Sequence, residues 1–252
     1  RPGAFFTPVN AQLEDRLPIV YQDEWLIAVN KPPGLMVHRS DIDKHETRFA
    51  LQLLRDQLDR RVYTAHRLDK PTSGLLLFAL DTKTQSALGK AFENNDVGKK
   101  YQAIVRGFTP VFERIDYPLA NMNDFKGKRP QSGNKEAVTE LRTLATVELP
   151  IACSRYPGSR YSLVELAPQT GRKHQLRRHL KHIFHPIVGD TTHGDGVHNR
   201  IFRKHLACTR LLLAATSLTL QHPVTNRTLE LHCDTGEDFE SVKAALWPNG
   251  FK

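Results

Sequence analysis

Apolar and polar positions along the chain fall into short strand-like runs separated by a few stretches of helical spacing. "LPIVYQDEWLIAVNKPPG" (17–34) reads as two apolar runs around the polar Gln22-Asp23-Glu24, a hairpin that ends at Pro32-Pro33-Gly34. Residues 46–58 place Phe49, Leu51, Leu53, Leu54 and Leu58 close to helical periodicity. "LLLFAL" (75–80) is short and continuously apolar, as expected of a central strand buried on both faces. Asp81 or Thr82 can then cap a helix with Ala87, Leu88, Ala91 and Phe92 on one side. "KKYQAIVRG" (99–107) alternates as a half-buried strand, and "RYSLVEL" (160–166) is another, followed by a turn and a basic helix. Residues 211–232 read as two strands around the turn from His222-Pro223 to Asn226. Many strands with a few interspersed helices and no linker predict an α+β fold (mixed α/β). They form one domain over residues 18–252, with a mixed, largely antiparallel sheet flanked by helices. Residues 1–17 read as a loosely attached arm, and the polar, Gly/Pro-punctuated stretch 121–136 as a basic surface loop.

Composition narrows the class of partner. The 252 residues are 39% hydrophobic, enough for one large core, and no segment approaches the roughly 18 uninterrupted apolar residues of a membrane span. Cys153, Cys208 and Cys233 are far apart and odd in number, which fits neither a disulfide framework nor a CxxC metal site and points to the reducing cytoplasm. With 36 Lys and Arg against 27 Asp and Glu, the formal net charge is +9. Such an excess favours a polyanionic partner through long-range attraction and counterion release, and nucleic acid is the commonest one.

Two constellations carry candidate chemistry. Asp69 lies between Arg67 and Lys70, in front of the turn Pro71-Thr72-Ser73-Gly74 and at the mouth of the buried run. Cations beside a carboxylate favour its charged form, which suits a nucleophile or base, yet a structural ion pair uses the same residue types, and spacing alone does not choose between them. The second is "APQTGRKHQLRRHLKHIFHPIVGD" (167–190), where Thr170 suits an N-cap and Gly171 a tight turn. On a helical wheel Leu176, Leu180 and Ile183 form an apolar stripe, bordered by Arg172 and His179 on one side and Arg177 on the other. Arg172 and Arg177 are thereby placed to reach a pocket, and Arg178 and Lys181 to meet phosphates, against the alternative of a solvated basic helix. His174, His179, His182, His185, His193 and His198 crowd the same region with Asp190 and Asp195, but no HExxH motif occurs and the surrounding Arg and Lys would repel a dication. No metal site is expected.

On these residues the chain resembles the RluA-type pseudouridine synthases. "HRLDKPTSG" (66–74) matches the motif that carries the family's essential aspartate, and "VNKPPGLMVH" (29–38) is similar to its upstream Asn-Lys-Pro motif. "KKYQAIVRG" is similar to the strand bearing the family's tyrosine, and "TGRKHQLRRHL…HPIVGD" (170–190) to the motif bearing its arginine. Four motifs in order span most of the chain, which overturns the bland readings above. The resemblance implies that residues 18–252 are a pseudouridine synthase catalytic domain and that the enzyme isomerises uridine in RNA without cofactor or metal. Asp69 would be the nucleophile, Tyr101 would lie against the uracil and assist the final proton removal, Arg177 would pair with Asp69, and Arg67 would fill the gap left by a flipped nucleotide. Lys31, His66, Arg172 and Gln175 are expected at the RNA from within the motifs, and Lys126, Lys128 and Arg129 from the basic loop.

The stretch 145–190 is further similar to a bacterial subgroup that modifies uridine-65 of tRNA, although ribosomal RNA is the substrate of relatives with the same core. Some relatives carry an N-terminal RNA-binding domain of the S4 type, for which the short arm leaves no room. A monomer is expected, since no apolar pairing surface stands out. Two other classes remain as alternatives at this point: a catalytically inactive RNA-binding protein of the same fold, and, more weakly, a metal-dependent nuclease.

Overall fold

In a computed structural model of the protein, which describes residues 16–38, 47–121 and 133–250, all of the "LLLFAL" run but Leu80 lies within strand β4 (Ser73–Ala79), whose seven residues are all buried. The expected hairpin before it is β1 (Ile19–Gln22) and β2 (Leu26–Lys31), and β2 pairs with β4 along its whole length. Helix α1 (Ala50–Leu58) follows the hairpin, the two-residue β3 (Tyr63–Thr64) joins the far end of β4, and helix α2 (Thr82–Glu93) follows it. Of the two candidate caps on α2, Asp81 is the one used: its carboxylate accepts from the Thr84 N–H at 2.8 Å.

The remaining elements are β5 (Gly98–Arg106), β6 (Phe112–Asp116), β7 (Val138–Leu149), β8 (Ser159–Pro168), α3 (Gln175–His182), α4 (Gly196–Leu206), β9 (Leu213–Gln221), β10 (Thr228–His232) and α5 (Glu237–Leu246). One sheet runs β1-β2-β4-β9-β5-β8-β7-β6, with β10 on β9 and β3 on β4. Every ladder among the described residues is antiparallel except β4 with β9. The fold is therefore α+β with a mixed, largely antiparallel sheet, and among the described residues no helix is long and apolar enough to cross a membrane.

Three apolar clusters hold the helices to the sheet. The first packs Leu54 of α1 and Leu88 of α2 against β2 and β4. On β5 successive side chains face opposite ways, as a strand requires. Ile104 enters a second cluster with Phe202 of α4 and Phe239 of α5, whereas Ala103 and Val105 enter a third with Leu176 and Leu180 of α3. The expected stripe on α3 is the face that packs there, Ile183 included. Tyr101 touches both the first and third clusters, at the seam between them.

The start of α3 differs from the expected cap at Thr170. The N-cap is His174, in the left-handed region (φ 54°, ψ 28°) with no side-chain cap bond. The Thr170 hydroxyl instead donates to Gln175 Oε1 and accepts from the Val138 N–H, tying the loop before the helix to β7. The N-terminal arm, apart from Arg16 and Leu17, and Lys126, Lys128 and Arg129 lie outside the described residues.

Candidate active site

Asp69 sits in a turn that is gripped from several sides. The Thr72 N–H donates back to Asp69 O at 3.0 Å, and Lys70 O accepts from the Gly34 N–H at 2.8 Å and from Lys31 Nζ at 3.2 Å. Lys31 is fully buried, and its ammonium also donates to Pro32 O and Leu35 O, so its three hydrogens all go to carbonyls. Burial, reinforced by Arg210 and opposed by Asp69, pushes the Lys31 amine down to about 7. The Ser73 hydroxyl accepts from Arg210 Nη2 at 2.6 Å, and at Gly74 (φ 110°) a Cβ would lie 2.1 Å from Ala215 O. A glycine is needed there for both conformation and space, and it lets β4 lie against β9 close to β5.

Arg177, on the first turn of α3, is 4% exposed and bound in bidentate fashion by Asp190, Nε to Oδ2 at 2.7 Å and Nη2 to Oδ1 at 2.9 Å. Asp190 also accepts the N–H groups of Thr192 and His193, each at 2.9 Å. Although burial opposes charge, Arg177 and these N–H groups hold the Asp190 carboxyl below the usual range, and Asp190 raises Arg177 in turn. The free Nη1 of Arg177 lies 3.6 Å from Asp69 Oδ2, and His174 Nε2 approaches the same oxygen at 3.8 Å. Gly189 (φ 83°) makes the bend before Asp190, where a Cβ would meet Arg210 O at 1.9 Å.

Tyr101 is aimed by a bulge. Lys100 pairs with Ser217 but Tyr101 with Ala215, so Thr216 is the extra residue on β9. Tyr101 and Lys99, two apart on β5, face the same cleft, whose volume is about 520 Å³ and whose walls include Arg67, Asp69, Arg172 and Arg177. Burial, and then the charge of Asp69, push the Tyr101 hydroxyl far up, so it stays protonated near neutrality. Lys99 is pushed down by burial alone.

The expected site residues divide by placement. Asp69, Tyr101 and Arg177 converge on the cleft; Arg67 and Arg172 are exposed at its rim, and Arg172 Nε donates to Glu136 O. His66, Gln175 and Lys31 are held by the protein itself. His66 Nε2 accepts the Leu77 N–H at 3.0 Å with its ring stacked on Phe92, and burial pushes it down to about 3. Gln175 is 4% exposed and bridges Thr170 and the Arg172 N–H to Val138 O and Thr139. Lys31 lies in the interior beneath the turn. Four of the six crowded histidines do not gather: His179 is in the core between Thr139 and Tyr117 O, His182 stacks on Tyr117, His185 bonds Arg106 O, and His198 contacts Tyr161 and Cys153. Among the described residues no group of three or more His, Cys, Asp or Glu is arranged to hold a metal. Lys99 is a site residue that the sequence does not single out, and Asp190, His174 and His193, which it offers only as parts of a rejected metal cluster, belong to the site in another way.

The fold that carries this cleft matches a known class. The family described as "RNA pseudouridylate synthase" matches residues 25–182, and the chain belongs to it: it is an enzyme of the isomerase class. A protein of Vibrio cholerae serotype O1 named "tRNA pseudouridine synthase C" is 51% identical over 229 residues, covering 90% of this chain and 94% of its own. One of the same name from Pasteurella multocida (strain Pm70) is 51% identical over 218 residues, covering 85% and 90%. Among solved structures, "Human RNA Pseudouridylate Synthase Domain Containing 4" superposes with a TM-score of 0.69 at 29% identity, over 91% of this chain and 92% of its own.

Proposed function

We propose that this chain converts a uridine of tRNA, at position 65, to pseudouridine, with Asp69 as the nucleophile. The observation that carries the site assignment is the placement of Asp69 on an open cleft, 3.6 Å from a guanidinium that a second acid already holds in place. The reaction breaks the N1–C1′ bond, turns the uracil and joins C5 to C1′; one hydrogen leaves C5 and one arrives at N1, so nothing is oxidised or reduced. Extruding the nucleotide from a stacked stem costs a few kcal/mol, which contacts to the phosphates offset. Arg67, Lys99, Arg172 and Lys173 line the cleft for that purpose, and the exposed Arg67 is the residue to occupy the opened stack. The Tyr101 ring lies against the base, and its protonated hydroxyl suits a donor or proton relay rather than a free phenolate base. The choice of tRNA rests on the names of the relatives described above.

The test is Asp69→Asn with wild type as control, incubated with a tRNA transcript, the same transcript carrying cytidine at position 65, and ribosomal RNA. Pseudouridine mapped at position 65 by the wild type only, with unchanged binding by the variant, is the expected result. Turnover by the variant overturns the nucleophile, and product only in ribosomal RNA overturns the substrate.

A further inference from the structure

Beside the guanidinium, a second side chain approaches the carboxylate of Asp69. His174 Nε2 lies 3.8 Å from Asp69 Oδ2, and on its other side His174 Nδ1 lies 3.0 Å from His193 Nε2, the two rings meeting edge to face at 77°. Two features set this pair apart from a chance contact. His174 adopts φ 54° at the N-cap of α3, a conformation that is costly for a residue with a Cβ, yet its side chain makes no cap bond. The imidazole is directed at Asp69 and His193 instead. His193 is itself fixed by the acid that fixes Arg177, since its N–H donates to Asp190 Oδ1, and Gly194 lets the chain pass where a Cβ would lie 2.1 Å from Asp190 O. Asp190 thus binds Arg177 directly and holds the backbone of His193, the partner of His174.

The charges set how many protons the pair holds. Burial keeps both rings below the ordinary histidine value, His193 at about 4, so the pair is neutral near pH 7 and shares a single hydrogen between Nδ1 of His174 and Nε2 of His193. Asp69 and Asp190 favour protonation of His174 while Arg177 and Lys173 oppose it; His193 faces Asp190, Arg177, His174 and Lys181. Were the shared hydrogen on His174, its Nε2 lone pair would point at the carboxylate. With the hydrogen on His193, His174 presents Nε2–H to Asp69 and accepts at Nδ1.

We infer that His174 is a second positioning residue for the Asp69 carboxylate and that His193 sets its tautomer and ring orientation. Resting on the reading of Asp69 as nucleophile, this assigns Oδ2 to the two protein donors and Oδ1 to the nucleoside. Neither 3.6 nor 3.8 Å is a hydrogen bond, and both contacts shorten when substrate fills the cleft.

The experiment compares His193→Gln, whose amide N–H replaces the donor at the Nε2 position, with His193→Phe, which keeps a ring and has no donor. Single-turnover rates on the tRNA transcript are expected to fall ~10- to 100-fold in the Phe variant, with KM little changed, and to be largely restored in the Gln variant. Equal rates in the two variants, whether high or low, or a defect confined to KM, overturn the inference. Nitrogen NMR of the wild-type imidazoles supplies a readout that does not depend on a variant folding: His174 protonated at Nε2 is expected, and protonation at Nδ1 overturns it. Turnover by Asp69→Asn marks failure of the underlying reading; an inactive Asp69→Asn beside a fully active His193→Phe marks failure of this inference alone.

Discussion

Arg177 lies 2.7 and 2.9 Å from Asp190 but 3.6 Å from Asp69, so the arginine that faces the candidate nucleophile is anchored by a different acid. The fork geometry of a guanidinium makes this division possible: two nitrogens bind one carboxylate in parallel while the third projects past it. A lysine has the charge and lacks the fork. Arg177→Lys is therefore expected to cost ~2 kcal/mol in stability, as hydrogen bonds to a charged group are lost, and to slow turnover ~100-fold. Urea melts and single-turnover assays check both; a variant impaired only in RNA affinity would make Arg177 a phosphate contact.

Asp190→Asn probes the other end of the same pair. The amide retains an acceptor for the N–H groups of Thr192 and His193 but leaves the buried guanidinium without its counter-charge. Breaking a buried pair from one side typically costs ~3–5 kcal/mol. A loss of that size in denaturant, with turnover falling even where the variant is folded, is expected; a loss below ~1 kcal/mol would show that Asp69 alone suffices to hold Arg177.

Gly74→Ala tests the only parallel ladder among the described strands. The added Cβ would overlap Ala215 O at 2.1 Å in a backbone conformation that alanine rarely adopts, so β4 must move away from β9. Both the strain and the lost ladder act against the fold, and the turn bearing Asp69 moves away from Tyr101. A drop of at least ~3 kcal/mol, or recovery only in insoluble form, is expected; a soluble variant with wild-type melting would contradict the close approach.

Much of this architecture is written locally in the chain. The hairpin, β4, β5, β8 and the β9–β10 pair each couple an apolar run with turn residues, and each stands where the pattern places it. Strand β7 is harder to see because its alternation is broken: the register shifts between Thr143 and Ala145, so Leu144 is out of phase with its neighbours. Strand β6 is at the sheet edge with Phe112 exposed, which blurs the contrast that marks a strand. Helix α5 did carry a signal, Phe239, Val242 and Leu246 behind an acidic first turn. In the site, Asp69, Tyr101 and Arg177 are legible through their motifs, but the role of Asp190 is not: its pairing with Arg177 spans 13 residues and depends on the bend at Gly189. The crowd of histidines looks like a metal cluster in one dimension only; in three, His179, His182, His185 and His198 disperse into core, stacking and hydrogen-bonding roles, and only His174 and His193 stay together.

Acid should weaken the fold through five histidines. His66, His174, His179, His193 and His198 are all held below the ordinary 6.5, His66 to about 3 and His193 to about 4, with burial the largest cause in each. The unfolded chain protonates them near pH 6.5 and the folded chain does not, so between that pH and the folded values the unfolded state binds more protons. Stability is full above 6.5 and declines as pH falls, each wholly unprotonated group adding up to ~1.4 kcal/mol per pH unit to the slope. Urea unfolding at pH 7, 6, 5 and 4.5 is expected to show a steep decline, made shallower by about one proton in His66→Gln. A flat profile over that range would mean that the imidazoles take up protons in the folded state.

Lys31 separates two roles that the sequence merges. The motif places it among residues expected at the RNA, whereas the fold seals it below the turn, with its ammonium on Pro32 O, Leu35 O and Lys70 O. A phosphate contact and an internal strut respond differently to Lys31→Met. Loss of a phosphate contact weakens binding across all RNAs and lowers the salt dependence of affinity by about one unit of slope. Loss of the strut leaves affinity and slope alone and lets the backbone at Lys70 drift, which displaces the neighbouring Asp69 and lowers kcat, by ~10-fold or more for a shift approaching 1 Å. Methionine fills the same volume and removes a buried amine already pushed down to about 7, so stability should change by less than ~2 kcal/mol. The expected result is unchanged Kd at every salt concentration with reduced kcat, measured on the same tRNA transcript; a salt slope that falls by one with kcat intact would return Lys31 to the RNA surface.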